Sequence, residues 1–317
     1  MAKRITLILV SLITPAHADP SARSESKKEA GPSVDFVSTD SSLQISIKGK
    51  PFASYIFKDS QVLRPFFAHV QAPNGIRVTR NHPPIRGEDS TDHATLHPGI
   101  WLAFGDLNGI DYWRNRAAVK HAGFVMKPTR TDGSGRFAVK NLYQNNGTTI
   151  CEETCRISLH VRPHGYLLFW ESVFLPRRDC FFGDQEEMGL GVRVATPISV
   201  QKGGKITNSE GARNEKQAWG KQADWCDYSG NVAGKHAGMM LLPDPRNFRR
   251  SWFHARDYGL LVANPFGQRA FTKGQKSHVF LKTGEEFPLR FGILVYAGRI
   301  DRTAAHKDFL RIAGSAR

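Results

Sequence analysis

Long apolar runs are missing from most of this sequence. After residue 18 no segment approaches the ~18 uninterrupted apolar residues that a membrane-crossing helix needs. Helical periodicity is scarce, which sets aside helical bundles and folds that alternate strand with helix. Cysteine is rare, with four in 317 residues. Only Cys151 and Cys155 are closely spaced, so a four-ligand zinc module has no second pair to use. There is no Gly-rich phosphate loop and no GxSxG nucleophile elbow. Acidic residues are the minority charge, 29 against 44 Lys and Arg, for a net charge of +15. The basic residues form no run longer than pairs such as Arg177-Arg178 and Arg249-Arg250. With no recognisable nucleic-acid motif either, no nucleic-acid partner is expected. No internal repeat and no interior linker interrupts the chain.

What is present begins with MAKRITLILVSLITPAHA. Lys3 and Arg4 precede a short apolar run, Ile5 to Ile13, and Ala16-His17-Ala18 is a small-residue cleavage pattern. Residues 1–18 read as a signal peptide, and the mature chain as soluble, exported to the periplasm or beyond. No integral membrane partner is implied. Residues 19–33 are polar and read as a disordered tether. A single domain is expected over 34–317. Export permits disulfides. Cys151 with Cys155 and Cys180 with Cys226 is one of three possible pairings.

Segments 42–48, 155–161, 190–196 and 277–282 alternate apolar with polar residues, the period of half-buried strands. Segments 166–175 and 289–298 are continuously apolar and read as buried central strands. Asn74-Gly75, Asp132-Gly133, Asn146-Gly147 and Lys202-Gly203-Gly204 mark turns. One helix is expected at the C-terminus, over residues 301–314, capped by Asp301, with Ala304, Phe309 and Ile312 on its apolar face. The fold class is therefore all-β: a large β-sandwich of many short strands with a short terminal helix.

Chemistry concentrates in four segments. The first is residues 90–113, STDHATLHPGIWLAFGDLNGIDYW. His93 and His97 have HxxxH spacing. Pro98-Gly99 follows at once and no Glu lies between them, so a loop is expected, and a metal pair is the weaker alternative. His97, at the mouth of the strand IWLAF, reads as a substrate-facing acid or base, or as a loop histidine bonded to backbone. Asp106 and Asp111 flank an Asn108-Gly109 turn that matches a calcium loop poorly. Trp101 and Trp113 read either as sugar-stacking surfaces or as core. The second segment, 183–193, brings Asp184, Glu186 and Glu187 to a strand entrance. The third, 223–230, carries Trp225, Asp227 and Tyr228. The fourth, 251–267, places His254, Arg256 and Tyr258 on one face if it is a strand. Asp257 and Asn264 lie beside that face. Three polar groups on one face need partners, which a cleft or a salt-bridged sheet supplies.

Residues 93–115, 182–193 and 252–267 together resemble an exported bacterial family labelled "methane oxygenase PmoA". The copper methane monooxygenase subunit of that name is a multi-helix membrane protein, so nothing about methane or copper transfers. The resemblance implies a β-sandwich similar to the galactose mutarotase supersandwich, and a setting among carbohydrate-degrading functions.

The expected function is that of an exported carbohydrate-active protein, acting by hydrolysis, elimination or epimerisation. His97 and His254 would be its acid and base, and Asp106 and Asp257 would orient them. His93, Arg256, Trp101, Asp111, Trp113, Glu186, Asp227, Tyr258 and Asn264 would bind substrate. The partner is a carbohydrate ligand, and no cofactor is expected. A non-catalytic glycan binder is the alternative, and a metal enzyme using His93 and His97 the second.

Overall fold

A computed structural model describes residues 33–315 of the chain. The expected signal peptide, and the tether apart from Ser33, lie outside the described residues. Nineteen strands are described: β1 (Val34–Ser38), β2 (Ser42–Ile47), β3 (Lys50–Ile56), β4 (Phe66–Ala68), β5 (Ile100–Phe104), β6 (Ala118–Thr131), β7 (Ser134–Asn145), β8 (Thr148–Arg162), β9 (Gly165–Pro176), β10 (Cys180–Phe182), β11 (Met188–Arg193), β12 (Lys205–Asn208), β13 (Lys221–Gln222), β14 (Cys226–Val232), β15 (Lys235–Pro243), β16 (Trp252–Arg256), β17 (Leu260–Asn264), β18 (Val279–Leu281) and β19 (Phe287–Ala297). Helices α1 (Asn214–Ala218), α2 (Gln268–Thr272) and α3 (Arg302–Ser315), with two short 3-10 turns at Thr196–Ile198 and Val200–Lys202, complete the secondary structure among the described residues.

Nine strands form one large sheet in the order β1-β2-β3-β4-β5-β11-β17-β16-β13, eight form a second, β12-β14-β15-β19-β9-β8-β7-β6, and β10 pairs with β18 in a two-stranded ribbon. Neighbouring strands run antiparallel, for example β5 with β11, β16 with β17 and β8 with β9. The two sheets bury one common core between them. Ile100, Leu102 and Phe104 of β5 and Leu190 and Val192 of β11 meet Ile157, Leu159 and Phe174 from the opposite layer. Aromatic pairs bridge the layers, with ring centroids 5.4 Å apart for Phe104–Phe174 and 5.8 Å for Phe67–Trp170. The expected all-β sandwich is the observed architecture.

Local sequence explains the connections. Asn146 and Gly147 both take positive φ, 48° and 78°, which the two-residue turn between β7 and β8 requires. The strands of this meander are longer than the expected short segments: β8 runs 15 residues. Thr148–Arg162 contains neither Gly nor Pro, so nothing stops the ladder between its two turns.

The C-terminal helix forms where expected. The Ala304 amide donates to Asp301 Oδ1 at 3.0 Å, the cap that fixes its start. Its buried stripe is Ala305, Phe309 and Ala313, one residue out of phase with the expected Ala304 and Ile312. That stripe covers Leu167, Met240, Leu242, Leu294 and Tyr296 on the outer face of the eight-stranded sheet. This second cover makes the central strand β19 read as continuously apolar. No helix among the described residues is long and apolar enough to cross a membrane.

The four cysteines are buried free thiols. Cys151 and Cys155 lie on the single strand β8. Four residues of strand span ~13 Å, beyond the ~4.4–6.8 Å that a disulfide bridges between Cα atoms. The pairing of Cys151 with Cys155 is therefore excluded.

Candidate functional site

The candidate residues converge on the outer face of the nine-stranded sheet. Alternation sends Ile100, Leu102, Leu190, Val192, Phe253 and Leu261 into the core. Trp101, Ala103, Gly191, Arg193, Val262, His254 and Arg256 therefore face the other way. Register then aligns them: Trp101 pairs with Gly191, Gly191 with Val262, and Val262 with His254. A second row pairs Arg193 with Leu260 and Leu260 with Arg256. The floor of this face is made of small residues. A Cβ built on Gly191 would stand 2.7 Å from Trp101 Cζ2, so the indole lies flat across a strand that offers no side chain.

Residues 92–96 form turns, as the Pro-Gly signal implies, and bring His97 down onto Trp101. The His97 ring stacks on Trp101 at 5.4 Å and 13°, and on His93 at 4.8 Å and 23°. Trp113 meets it edge-on at 5.9 Å, and Tyr258 lies parallel at 6.5 Å. His97 is 1% exposed, and neither of its ring nitrogens has a hydrogen-bond partner. The indole N–H groups of Trp101 and Trp113 are equally unpartnered. Buried polar atoms normally find partners, so this concentration of unpartnered groups sets the face apart from the rest of the sheet. Burial, then His93 and the surrounding arginines, hold the His97 pKa well below the ordinary value, so the ring is neutral.

Three arginines that sequence patterns did not single out build the walls. Arg80 donates to the carbonyls of Ser90, Asp92, His93 and His97 and so knits the 90–97 loop together. Arg64 donates to the carbonyls of Leu96, Tyr112 and Trp113 and to Asn115 Oδ1. Burial pulls its pKa down to about 9. Arg193 Nη2 donates to Asp92 Oδ1 at 2.7 Å, and its guanidinium lies 4.6 Å from the centre of the Tyr258 ring. Burial works against the Asp92 charge, but His93, Arg193 and Arg80 outweigh it and hold the carboxyl below its ordinary pKa.

A second cluster lies on β16 along the same face, three strands or ~14 Å from Trp101 and two strands from Arg193. Arg256 is its centre. Its Nε donates to His254 Nε2 at 2.9 Å, Nη1 to Glu215 Oε1 at 2.8 Å, and Nη2 to Glu186 Oε2 at 3.2 Å. His254 Nδ1 stands 3.2 Å from the Glu186 carbonyl. Because Nε2 accepts from Arg256, the proton of His254 sits on Nδ1. Burial and the Arg256 charge push its pKa down to about 3. Both nitrogens are engaged, so His254 holds Arg256 in place; the expectation of a proton-transferring His254 is corrected on this ground. Asn264 Nδ2 donates to the carbonyls of Gln185 and Glu186, which fixes Glu186 beside Arg256.

Four expected residues point elsewhere. Asp106 Oδ1 accepts from the Gly109 amide and closes the Asn108-Gly109 turn. Asp111 pairs with Arg114, which also pairs with Glu187. Asp257 Oδ1 accepts the Glu215 amide and its own amide donates to Glu215 Oε2, so it anchors α1. Asp227 lies on the other sheet, bonded to Tyr296 and Arg302 beneath α3. The structure thus brings together His93, His97, Trp101, Trp113 and Tyr258, with His254, Arg256, Glu186 and Asn264 beside them. Two surface cavities of about 410 and 300 Å³, lined in part by Lys48 and His164 and by Ser251 and His306, touch neither cluster.

A metal at His93 and His97 does not fit this geometry. Stacked rings direct their lone pairs along parallel planes, so the two nitrogens do not converge on one ion. Asp92 Oδ2 also occupies His93 Nδ1, at 2.9 Å. Among the described residues no group of three or more His, Cys, Asp or Glu is placed to hold a metal ion.

The family model that covers this face, both clusters and most of α3 spans residues 42–309. The chain belongs to the DUF6807 family. That family is one of unknown function. No curated protein matches this DUF6807 chain by sequence. Among solved structures, it is similar to the GH36 α-galactosidase AgaA of Geobacillus stearothermophilus, with 11% identity and a TM-score of 0.42 over 84% of this chain. The chain spans 40% of the length of that enzyme. A galactose mutarotase-like protein from Lactobacillus casei gives 9% identity and a TM-score of 0.39, covering 83% of this chain and 100% of that one. The heparan sulfate lyase HepC of Pedobacter heparinus gives 7% and 0.39, covering 86% and 36%.

Proposed function

We propose that this DUF6807 protein is an exported carbohydrate-active enzyme whose sugar substrate sits on the outer face of the nine-stranded sheet. The observation that carries this reading is His97: a buried neutral imidazole with both nitrogens free, ringed by unpartnered indole and guanidinium N–H groups. A polyhydroxylated ligand supplies the missing acceptors. In the proposed step, a proton passes from a substrate hydroxyl or acidic C–H to the free nitrogen of His97. Arg193 Nη1 and the two indole N–H groups hold the negative charge left on the substrate oxygen. His254 and Glu186 position Arg256, which binds further along the sugar. The N-terminal eighteen residues motivate the export.

The test is proton NMR of the anomeric region, with a panel of neutral and acidic mono- and oligosaccharides as substrates. Turnover of at least one sugar is expected, with a loss of about 10²–10⁴-fold in His97→Gln. Full activity in that variant overturns the role of His97. Line broadening on every sugar without conversion favours a second reading, a non-catalytic glycan binder. The half-buried Trp219 beneath Arg256 fits such an aromatic platform.

A further inference from the structure

We propose that the His97 pocket is a receptor for an anionic sugar, with the carboxylate of a uronic acid seated against Arg64, Arg193 and the indole N–H groups of Trp101 and Trp113. This rests on the carbohydrate reading above and names its substrate class.

Charge bookkeeping leads there. Arg64, Arg80 and Arg193 are 3%, 1% and 1% exposed. One carboxylate, that of Asp92, reaches two of them: 2.7 Å from Arg193 and 3.8 Å from Arg80. It is itself 38% exposed at the side chain and is shared with His93. The hydrogen bonds of Arg64 all go to neutral acceptors. Two of the three buried cations thus share one partly solvated anion in direct contact and Arg64 touches none, and a buried cation without an anion is costly. A second anion removes that cost.

The donors also fit a carboxylate. Arg193 Nη1, Arg64 Nε, Trp101 Nε1 and Trp113 Nε1 are buried and unpartnered around His97. Together with Arg80 Nε, also buried and unpartnered, these groups only donate, which suits a carboxylate, a group that only accepts. Guanidinium and indole N–H donors carry no acceptor of their own, so a neutral hydroxyl that must donate finds only a free nitrogen of His97. The His93 ring, whose side chain is 45% exposed, stacks over His97 on the solvent side. His93 stands at φ 49° in the turn and leaves its stack when the ligand enters.

Trp101 and Trp113 supply the readout. Intrinsic tryptophan fluorescence would be titrated with glucuronate, galacturonate, glucose, galactose and inorganic sulfate. A uronate is expected to bind at least about ten-fold more tightly than its neutral counterpart, the effect of one charge-assisted hydrogen bond set. That advantage shrinks with added salt. Arg193→Gln, with circular dichroism confirming the fold, loses about ten-fold for the uronate and a smaller factor for the neutral sugar. If Arg193→Gln does not fold, Trp113→Phe, which deletes one N–H and keeps the aromatic ring, weakens the uronate selectively. Equal binding of uronates and neutral sugars overturns the anionic inference and leaves the carbohydrate reading standing. Binding of sulfate alone overturns both the uronate and the sugar while keeping an anion site. Silence with all five probes, or uronate binding indifferent to both variants, overturns the uronate inference at this pocket and leaves the carbohydrate reading to the turnover test.

Discussion

Acidification tests the His254–Arg256 node quantitatively. His254 is 3% exposed, and its pKa falls from 6.5 to about 3 in the folded chain. Below pH 6.5 the unfolded chain binds a proton at this ring that the folded chain refuses. Stability contributed by the neutral ring is thus complete above pH 6.5 and is lost as pH falls toward the folded pKa. The slope is ~1.4 kcal/mol per pH unit, so about 3 kcal/mol is gone by pH 4 and about 4 by pH 3, where the folded ring begins to take up the proton. For a fold holding ~5–15 kcal/mol in total, that is a large share. His254→Gln cannot titrate. At pH 7 it should be less stable than the natural chain by about 1–3 kcal/mol, for the disturbed contacts to Arg256 and the Glu186 carbonyl. By pH 4 that deficit should disappear or reverse, because the natural chain alone suffers the His254 penalty. Urea unfolding of both proteins from pH 7 to pH 4, extrapolated to water, reads the difference directly. His97 and the carboxylates titrate in both proteins and cancel. A stability difference that stays constant over this range would refute the depressed His254 pKa and the tautomer assigned to it.

Two further outcomes follow from packing. Gly191→Val puts a branched side chain where Trp101 already lies, with even a Cβ only 2.7 Å from the ring; a loss of about 1–3 kcal/mol and a shifted tryptophan emission are expected, and an unchanged spectrum would mean that the indole does not lie there. Arg302→Ala strands the carboxylate of Asp227, which is 1% exposed and whose pKa burial already raises. A thermal scan should show about 3 kcal/mol of destabilisation, relieved in the double variant with Asp227→Asn, and no relief would place the charge compensation elsewhere.

Much of the sandwich was readable because period-two alternation survives wherever one face is solvated, and the Asn146-Gly147 turn announces its own dihedral angles. The helix was readable from Asp301 and Phe309. The site was half readable. His97, Trp101 and Trp113 sit in a stretch too rich in chemistry for a strand, and His254, Arg256 and Tyr258 share a strand face. The buried arginines were missed because each is a lone basic residue, and isolated Arg is ordinarily solvated. Arg193 did leave a signal: in Gly189-Leu190-Gly191-Val192-Arg193 one face reads Gly, Gly, Arg while the other is apolar. Small residues beside a lone charge on one strand face indicate something lying over that face. Asp227 misled because Cys-Asp-Tyr-Ser looks the same whichever sheet it joins; the register that places it opposite Thr207 and Met240 is a long-range fact. Asp257 and Asp106 misled because a turn-capping carboxylate and a catalytic one use the same residue.

The pairing of β19 with β9 has a consequence for how the chain is made. Arg290 bonds Glu171 across a separation of 119 residues. Strands β6 to β9 are consecutive hairpins and can zip as they leave the ribosome. The apolar edge of β9 then waits, unpaired, while more than a hundred residues are still being synthesised. Such an edge is an open template for another chain, so the most vulnerable interval in the life of this protein comes before translation ends, when its longest meander is complete and its partner strand has yet to be made.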